Sequence, residues 1–405
     1  MTVNRPLITT DSHVAVPLSL ADELPEKFRS KVARLEERND GVYLVRPLPG
    51  LADEDGNVDE GDMTTQALAA GIKVDPDDEA MLARIAYGNV ATEANPGFTV
   101  EDRLGEMARD GVVGEVLIGN GGFGSLADPE VDVVWARLMN DWLADEYRDH
   151  MHQFAVGINL PLSSVEASVS ELERAAALGM RPALLPDIIP GRGYNQPEWE
   201  PLWEAAADLE VPLVLHLTGG RLSADDQPLR DEQRAPFQRH DTISRFAMIS
   251  ASSSQTVSWF VNTGVLERHP KLQIVMTETS AGWLAWLMEF MDHYHFSRLS
   301  GPNGLGESMR RARDPNRPVP LLIDAPPSYY VKRQVKTTFM YDPVAIQLRD
   351  RTGIDCLMWG NDYPHIEGVF PDSQQLVEKQ FAGVPENEIE AIVHDNAAEL
   401  YRLTV

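Results

Sequence analysis

The chain has 405 residues, 43% of them apolar, enough for a sizeable core in one large domain or two ordinary ones. Its 35 basic and 63 acidic residues leave a formal charge of −28, which repels nucleic acid and anionic membrane surfaces, so neither is expected as a partner. Cys356 is the single cysteine, which excludes an intrachain disulfide framework and a thiolate metal cluster, and residues 1–11 hold no basic-then-apolar leader; the expectation is a soluble, unprocessed, cytoplasmic protein.

In chain order, the first strand is expected at residues 6–13, an apolar run that stops at Thr10-Asp11-Ser12-His13. Residues 14–100 read as a long acidic, turn-rich insertion, with Asp53-Glu54-Asp55-Gly56 and Asp75-Pro76-Asp77-Asp78, placed to cover the end of the fold where that strand stops. Strands at 113–119, 154–160, 182–186 and 211–217 then alternate with helix patterns at 128–150, 164–178 and 197–209, Ser164 serving as an N-cap and Gly179 as a stop. A strand at 272–278 follows, then an irregular segment at 300–330 that ends Pro326-Pro327-Ser328-Tyr329-Tyr330, then strands at 337–341 and 356–360. Eight strands in alternation with helices predict a parallel α/β fold, and eight favours closure into a (β/α)8 TIM barrel over an open sheet. No Gly-rich phosphate fingerprint follows the first strand, and the chain from 1 to 405 reads as a single barrel domain with an insertion at about 14–100.

Four of these strands stop at carboxylates or imidazoles: Asp11 and His13, His216, Glu278 and Asp362. In a barrel the carboxyl ends of the strands form the active-site face. Asp11 and His13, two apart on a strand, point to the same side of the pleat while Ser12 points to the other. Imidazole and carboxylate together suit Zn²⁺, Mn²⁺ or Fe²⁺, and a catalytic site needs three or four protein ligands plus water, which His216 and Asp362 would complete. Each residue also has an ordinary use: Asp11 as a cap, His13 on the surface, His216 as a satisfied core histidine, Glu278 as a helix N-cap, and Asp362 as a turn former.

The ordered set of Asp-x-His at 11–13, Pro-Leu-Val-Leu-His at 212–216, Glu-Arg-His-Pro-Lys-Leu-Gln-Ile-Val at 267–275 and Trp-Gly-Asn-Asp-Tyr-Pro-His at 359–365 resembles the amidohydrolase-related branch of the amidohydrolase superfamily. That branch includes aminocarboxymuconate-semialdehyde decarboxylase, resorcylate-type decarboxylases and C–C bond hydrolases. The resemblance implies a barrel with one divalent metal ion per chain, zinc first and manganese or iron as alternatives, held by Asp11, His13, His216 and Asp362. The fourth strand ends Leu184-Leu185-Pro186-Asp187 without the lysine that bridges two metals in binuclear relatives, so a single ion is expected. Glu278 stands where the branch's decarboxylases usually carry a histidine, which speaks against a decarboxylase.

The leading expectation is therefore a metal-dependent hydrolase in which activated water attacks a carbonyl-type carbon of a small apolar or aromatic substrate. Asp362 would take the water's proton, and Glu278 and His365 would pass one to the leaving group. The alternative is a non-oxidative decarboxylase or lyase of a small carboxylic acid, and a third reading is a non-catalytic binding barrel. Trp283, Trp359, Tyr363, Phe370, Tyr329 and Tyr330 are candidates for lining an aromatic pocket, and Arg245 for anchoring a carboxylate. The resemblance further suggests a homodimer or larger homo-oligomer.

Overall fold

The computed structural model describes residues 5–45, 71–88, 90–119, 128–189, 191–217, 238–297 and 322–405, with backbone only at 238–247 and 296–297. The first strand, β1, is Leu7–Val14. It is followed within the insertion by three antiparallel strands, β2 (Arg34–Arg38), β3 (Gly41–Val45) and β4 (Ile72–Val74). The parallel staves continue with β5 (Val112–Gly119), β6 (Phe154–Val156), β7 (Ile158–Asn159), β8 (Ala183–Pro186), β9 (Leu213–His216), β10 (Ile274–Thr277), β11 (Val335–Phe339) and β12 (Leu357–Trp359). All eight expected strand segments are present, and β6 with β7 makes one stave broken at Gly157. A Cβ there would lie 2.6 Å from the Leu117 carbonyl oxygen, so only glycine lets that stave come so close to β5.

The pairings run parallel from β1 to β5 to β6 and from β7 through β8, β9, β10 and β11 to β12. Backbone bonds close the ring. Arg181 N donates to the Val156 carbonyl across the β6/β7 break, and at the other seam Asp362 N donates to the Asp11 carbonyl and His13 N to the Tyr363 carbonyl. The result is the (β/α)8 TIM barrel.

Alternation along each stave sorts side chains by face. Ile8, Val116, Ile118, Ala155, Leu184, Val214, Val275 and Met358 point inward and pack as one cluster, which Ala397, Tyr401 and Leu403 enter from the amino-terminal end. Their sequence neighbours Leu7, Leu117, Leu213, Leu215, Ile274, Leu357 and Trp359 face outward into the core beneath the helices. Two residues beyond Val214 on the inward face comes His216, so the same pleat that fills the barrel delivers an imidazole to its carboxyl end.

The helix Pro129–Glu146 is capped by Asp128 and passes into a 3₁₀ turn at Arg148–His150. The helix Val165–Ala177 begins where the Ser164 hydroxyl accepts from Ala167 N at 3.2 Å, and the chain leaves it through Gly179 at φ 93°. The end of the 300–330 segment differs from expectation. Pro327 opens a helix, Pro327–Gln334, instead of continuing a loop, because proline at the first helical position has no N–H to satisfy. Tyr330 on that helix is buried with its hydroxyl against Glu267, which sits ahead of the amino end of β10, so it lies away from the carboxylate-bearing strand ends.

The insertion reaches that carboxyl end. After the helix Glu79–Tyr87, Val90 bridges to His365 and Ala91 N donates to the Pro364 carbonyl at 2.8 Å, while Val90, Ala91 and Ala94 pack on Tyr363 and Phe370. Residues 53–56 and 310–313, singled out from the sequence, lie outside the described residues. No helix among the described residues is long and apolar enough to cross a membrane.

Candidate metal centre

Asp11, His13, His216, Glu278, Asp362 and His365 all meet at the carboxyl end of the barrel. The Nε2 atom of His13 lies 3.0 Å from Asp362 Oδ1 and 3.7 Å from Asp11 Oδ1. His216 Nε2 lies 3.6 Å from Asp11 Oδ1 and 3.3 Å from Glu278 Oε2. His365 Nδ1 sits 2.9 Å from Asp362 Oδ1, and its ring centroid is 4.0 Å from that of His13. A pairing irregularity against β5 falls between Thr9 and Ser12, yet the Asp11–His13 step keeps both side chains on the inner face, and the Ser12 hydroxyl turns outward to the buried Arg103–Glu115 pair.

Two backbone devices aim the carboxylates. Glu278 and Asp362 both sit in the left-handed region, at φ 61° and φ 55°, a conformation that costs a residue other than glycine about 1–3 kcal/mol. Around Asp362 the turn is held by Asn361, whose side chain accepts from the Thr9 hydroxyl at 2.9 Å and from Tyr363 N at 3.2 Å and donates to Asp110 at 3.0 Å. Glu278 N donates to the Thr338 hydroxyl, and Trp283 Nε1 donates to the carbonyls of Thr279 and Ser280, bracing the turn that follows. Gly360 admits β1: a Cβ on it would stand 2.7 Å from the Asp11 Cβ.

The electrostatics of the cluster call for a cation. Ligand-capable oxygens of Asp11, Glu278 and Asp362 lie within 4.8 Å of one another, as do donor atoms of Asp11, His13 and His216 and of His13, Asp362 and His365. Both Asp11 carboxylate oxygens, both ring nitrogens of His13 and Asp362 Oδ2 are buried without a hydrogen-bond partner, which is costly for polar groups unless something else binds them. Burial, helped by His365 and His216, holds the His13 imidazole well below its usual range, so it is neutral and has a lone pair to give. His216 Nδ1 faces the Leu217 carbonyl at 2.9 Å and must donate to it, which directs Nε2 at the cluster. Burial lowers the affinity of His216 for a proton, but Asp11, the Leu217 carbonyl and Asp362 outweigh it and the pKa ends above the ordinary value. Burial, with Asp362 and Asp11 next, pushes the Glu278 carboxyl well above the carboxylate range.

A family model described as amidohydrolase matches residues 91–403. The chain belongs to the amidohydrolase superfamily. Solved structures similar to this amidohydrolase-family chain include an amidohydrolase from Mycobacterium avium subsp. paratuberculosis K-10, with a TM-score of 0.64 at 18% identity, covering 98% of this chain and 100% of that one. A 2,6-dihydroxybenzoate decarboxylase from Rhizobium matches with a TM-score of 0.60 at 18% identity over 98% and 99% of the two chains. A 5-carboxyvanillate decarboxylase from Novosphingobium aromaticivorans DSM 12444, complexed with manganese and 4-hydroxy-3-methoxy-5-nitrobenzoic acid, matches with a TM-score of 0.64 at 17% identity over 98% and 96%. At these identities the structural likeness speaks to the fold.

Of the aromatic residues singled out from the sequence, Trp359 faces outward from β12, Tyr363 lies under the Arg103 guanidinium at 4.6 Å, and Phe370 packs on Tyr363. They brace the site from behind. Arg245 falls where only the backbone of the helix Gln238–Asn262 is described. Sequence reasoning passed over the supports of the site: Asp110, which receives Ser373 and Asn361, and the Arg103–Glu115 pair behind β1. Nothing in their local sequence marks them, because their partners are remote along the chain. Asp187, at the end of the fourth strand, accepts from the Ser252 hydroxyl at 2.9 Å, and its N–H donates to the His216 carbonyl.

Proposed function

We propose that this chain is a metal-dependent, non-oxidative decarboxylase of a small hydroxylated carboxylic acid, with hydroxybenzoates the first class to try. The observation that carries it is geometric: the nearly buried Glu278 carboxyl stands 3.3 Å from His216 Nε2, beside a candidate ligand set of two aspartates and two histidines. Decarboxylation exchanges CO₂ for a proton at carbon and needs a proton donor next to a cation site. Burial, the first cause raising the pKa of the Glu278 carboxyl, favours its proton-bearing form. The solved decarboxylases named for 2,6-dihydroxybenzoate and 5-carboxyvanillate, which match along nearly the whole chain, support the same reading. They move the balance away from the hydrolase that the Glu278-for-histidine substitution had favoured.

Asp11, His13, His216 and Asp362 would hold one divalent ion. When bound, it supplies positive charge that grips a carboxylate with its neighbouring hydroxyl and stabilises the developing negative charge. Manganese suits this half-carboxylate set as well as zinc does. Glu278 would deliver the proton to the carbon that loses CO₂, and His365, paired to Asp362, would hold that carboxylate in place or donate to the substrate hydroxyl. In this reading the barrel and its insertion form one domain, with the Val90 segment roofing the His365 turn.

Hydrolysis stands as the second reading because the Asp362–His365 pair is also a base poised to accept a proton from water, and burial of His365 is outweighed by Asp362 so that its pKa is raised. Incubating metal-loaded protein with a panel of hydroxybenzoates, amides, lactones and β-diketones in D₂O, and separately in ¹⁸O-water, separates the two. Decarboxylation releases CO₂ and leaves one deuterium on carbon with no ¹⁸O in the remaining product. Incorporation of ¹⁸O into a product without release of CO₂ would assign hydrolysis instead.

A further inference from the structure

A cavity of about 550 Å³ opens at the amino-terminal end of the barrel, opposite the Asp11–His216 cluster. Pro212 and Gln273, which precede β9 and β10, form part of its wall, along with the helix Pro327–Gln334 and the C-terminal helix Asn396–Tyr401. Five cations line it, Lys271, Lys332, Arg333, Lys336 and Arg402, against the three carboxylates of Glu210, Asp355 and Glu399. On a chain of net charge −28 this is a local reversal of sign.

One carboxylate is already committed, since Glu210 accepts from Lys271 and from Arg402, both at 2.9 Å. Arg333 is held by uncharged partners among the described residues. Its guanidinium donates to the Leu266 carbonyl and the Gln334 amide oxygen and lies over the Tyr329 ring at 5.0 Å. Lys332 and Lys336, one turn of chain apart where the helix feeds β11, have no ion-pair partner among the described residues. Five cations against three carboxylates leave the concave wall with an excess of positive charge, which focuses a field that an anion completes.

We propose that this cavity binds a multivalent oxyanion, a small molecule carrying phosphoryl or several carboxylate groups, with Lys332 and Lys336 as its direct contacts and Arg333 as a fixed neighbouring charge. The C-terminal helix ties the cavity to the barrel: Asn396, Glu399 and Leu400 face the cavity while Ala397 and Tyr401 enter the barrel interior. An anion held there fastens the element that plugs the barrel below Asp11.

The test is isothermal titration of the full chain with inorganic pyrophosphate and, separately, with citrate, at a constant ionic strength of about 0.15 M. Saturable binding of one equivalent of either anion is expected, pyrophosphate alone indicating phosphoryl recognition and citrate alone polycarboxylate recognition. Lys332→Glu/Lys336→Glu weakens it at least about tenfold, and the single glutamine variants weaken it by less. Because both probes can chelate a metal, His216→Ala serves as the control and retains the binding. Binding of neither anion, binding unchanged in the double charge reversal of a protein with a native circular dichroism spectrum, or binding lost in His216→Ala overturns the proposal.

Discussion

Glu278, the proposed proton donor, combines backbone strain with a buried carboxyl. Its left-handed φ of 61° lifts the carboxyl off the end of β10 toward His216, and burial then makes that carboxyl hard to ionise. A folded-state pKa above the ordinary 4.5 means that the metal-free folded protein holds a proton the unfolded chain has released. By linkage, this contribution to stability is fully present below 4.5 and is lost as pH rises through the raised folded value. Thermal melts of metal-free protein between about pH 5 and about pH 8 are therefore expected to fall more steeply for wild type than for Glu278→Gln, and equal slopes would show an ordinary carboxylate. On a confirmed substrate the same variant is expected to lose about 10²–10⁴-fold in kcat, the range for removing a positioned proton donor, with the larger part of its metal content intact.

At the level of elements, the site depends on how tightly the eighth stave lies against the first. The close approach is made at Gly360, the backbone bonds from Asp362 N and His13 N stitch the seam, and Asn361 ties the turn to Thr9 and Asp110. Gly360→Ala would drive a methyl group into Asp11 and separate the proposed ligands Asp11 and His13 on β1 from Asp362 after β12. Metal affinity, measured by competition with a chromogenic chelator, is expected to drop about 10–100-fold, as when an outer support of a metal site is lost. Undiminished affinity would mean that the two strand ends adjust independently. Behind β1, Arg103 and Glu115 are both buried, so Arg103→Met would leave an unpaired buried carboxylate and cost about 3–5 kcal/mol, read as a lower denaturant midpoint.

For the whole molecule, the unpartnered oxygens and nitrogens of Asp11, His13 and Asp362 gather more of the buried unsatisfied polar atoms at the carboxyl end of the barrel than at any other place among the described residues. A ligand that binds only the folded chain adds stability by mass action, about 2.7 kcal/mol at one hundred times its Kd. Melting temperature is therefore expected to climb with added manganese or zinc and to fall on chelation, whereas His216→Ala should show little of either response. A chelator-insensitive wild type, with no metal by elemental analysis, would remove the ion from the proposed mechanism.

Much of this was legible in the chain. Buried parallel strands carry apolar runs, so the eight staves stand out, and the polar residues that end those runs mark Asp11, His13, His216, Glu278 and Asp362 as candidates for the cluster they form. Ser164 and Gly179 likewise bounded their helix by local chemistry alone. Tertiary structure decided what depends on contacts between distant segments. It turned Trp359 outward and Tyr330 away from the site, and it brought Asp110 to Asn361 and Arg103 to Ser12. It also decided the direction in which the Glu278 carboxyl shifts, upward, because a carboxyl group's affinity for a proton depends on the burial and the neighbouring carboxylates that only the closed barrel brings around it.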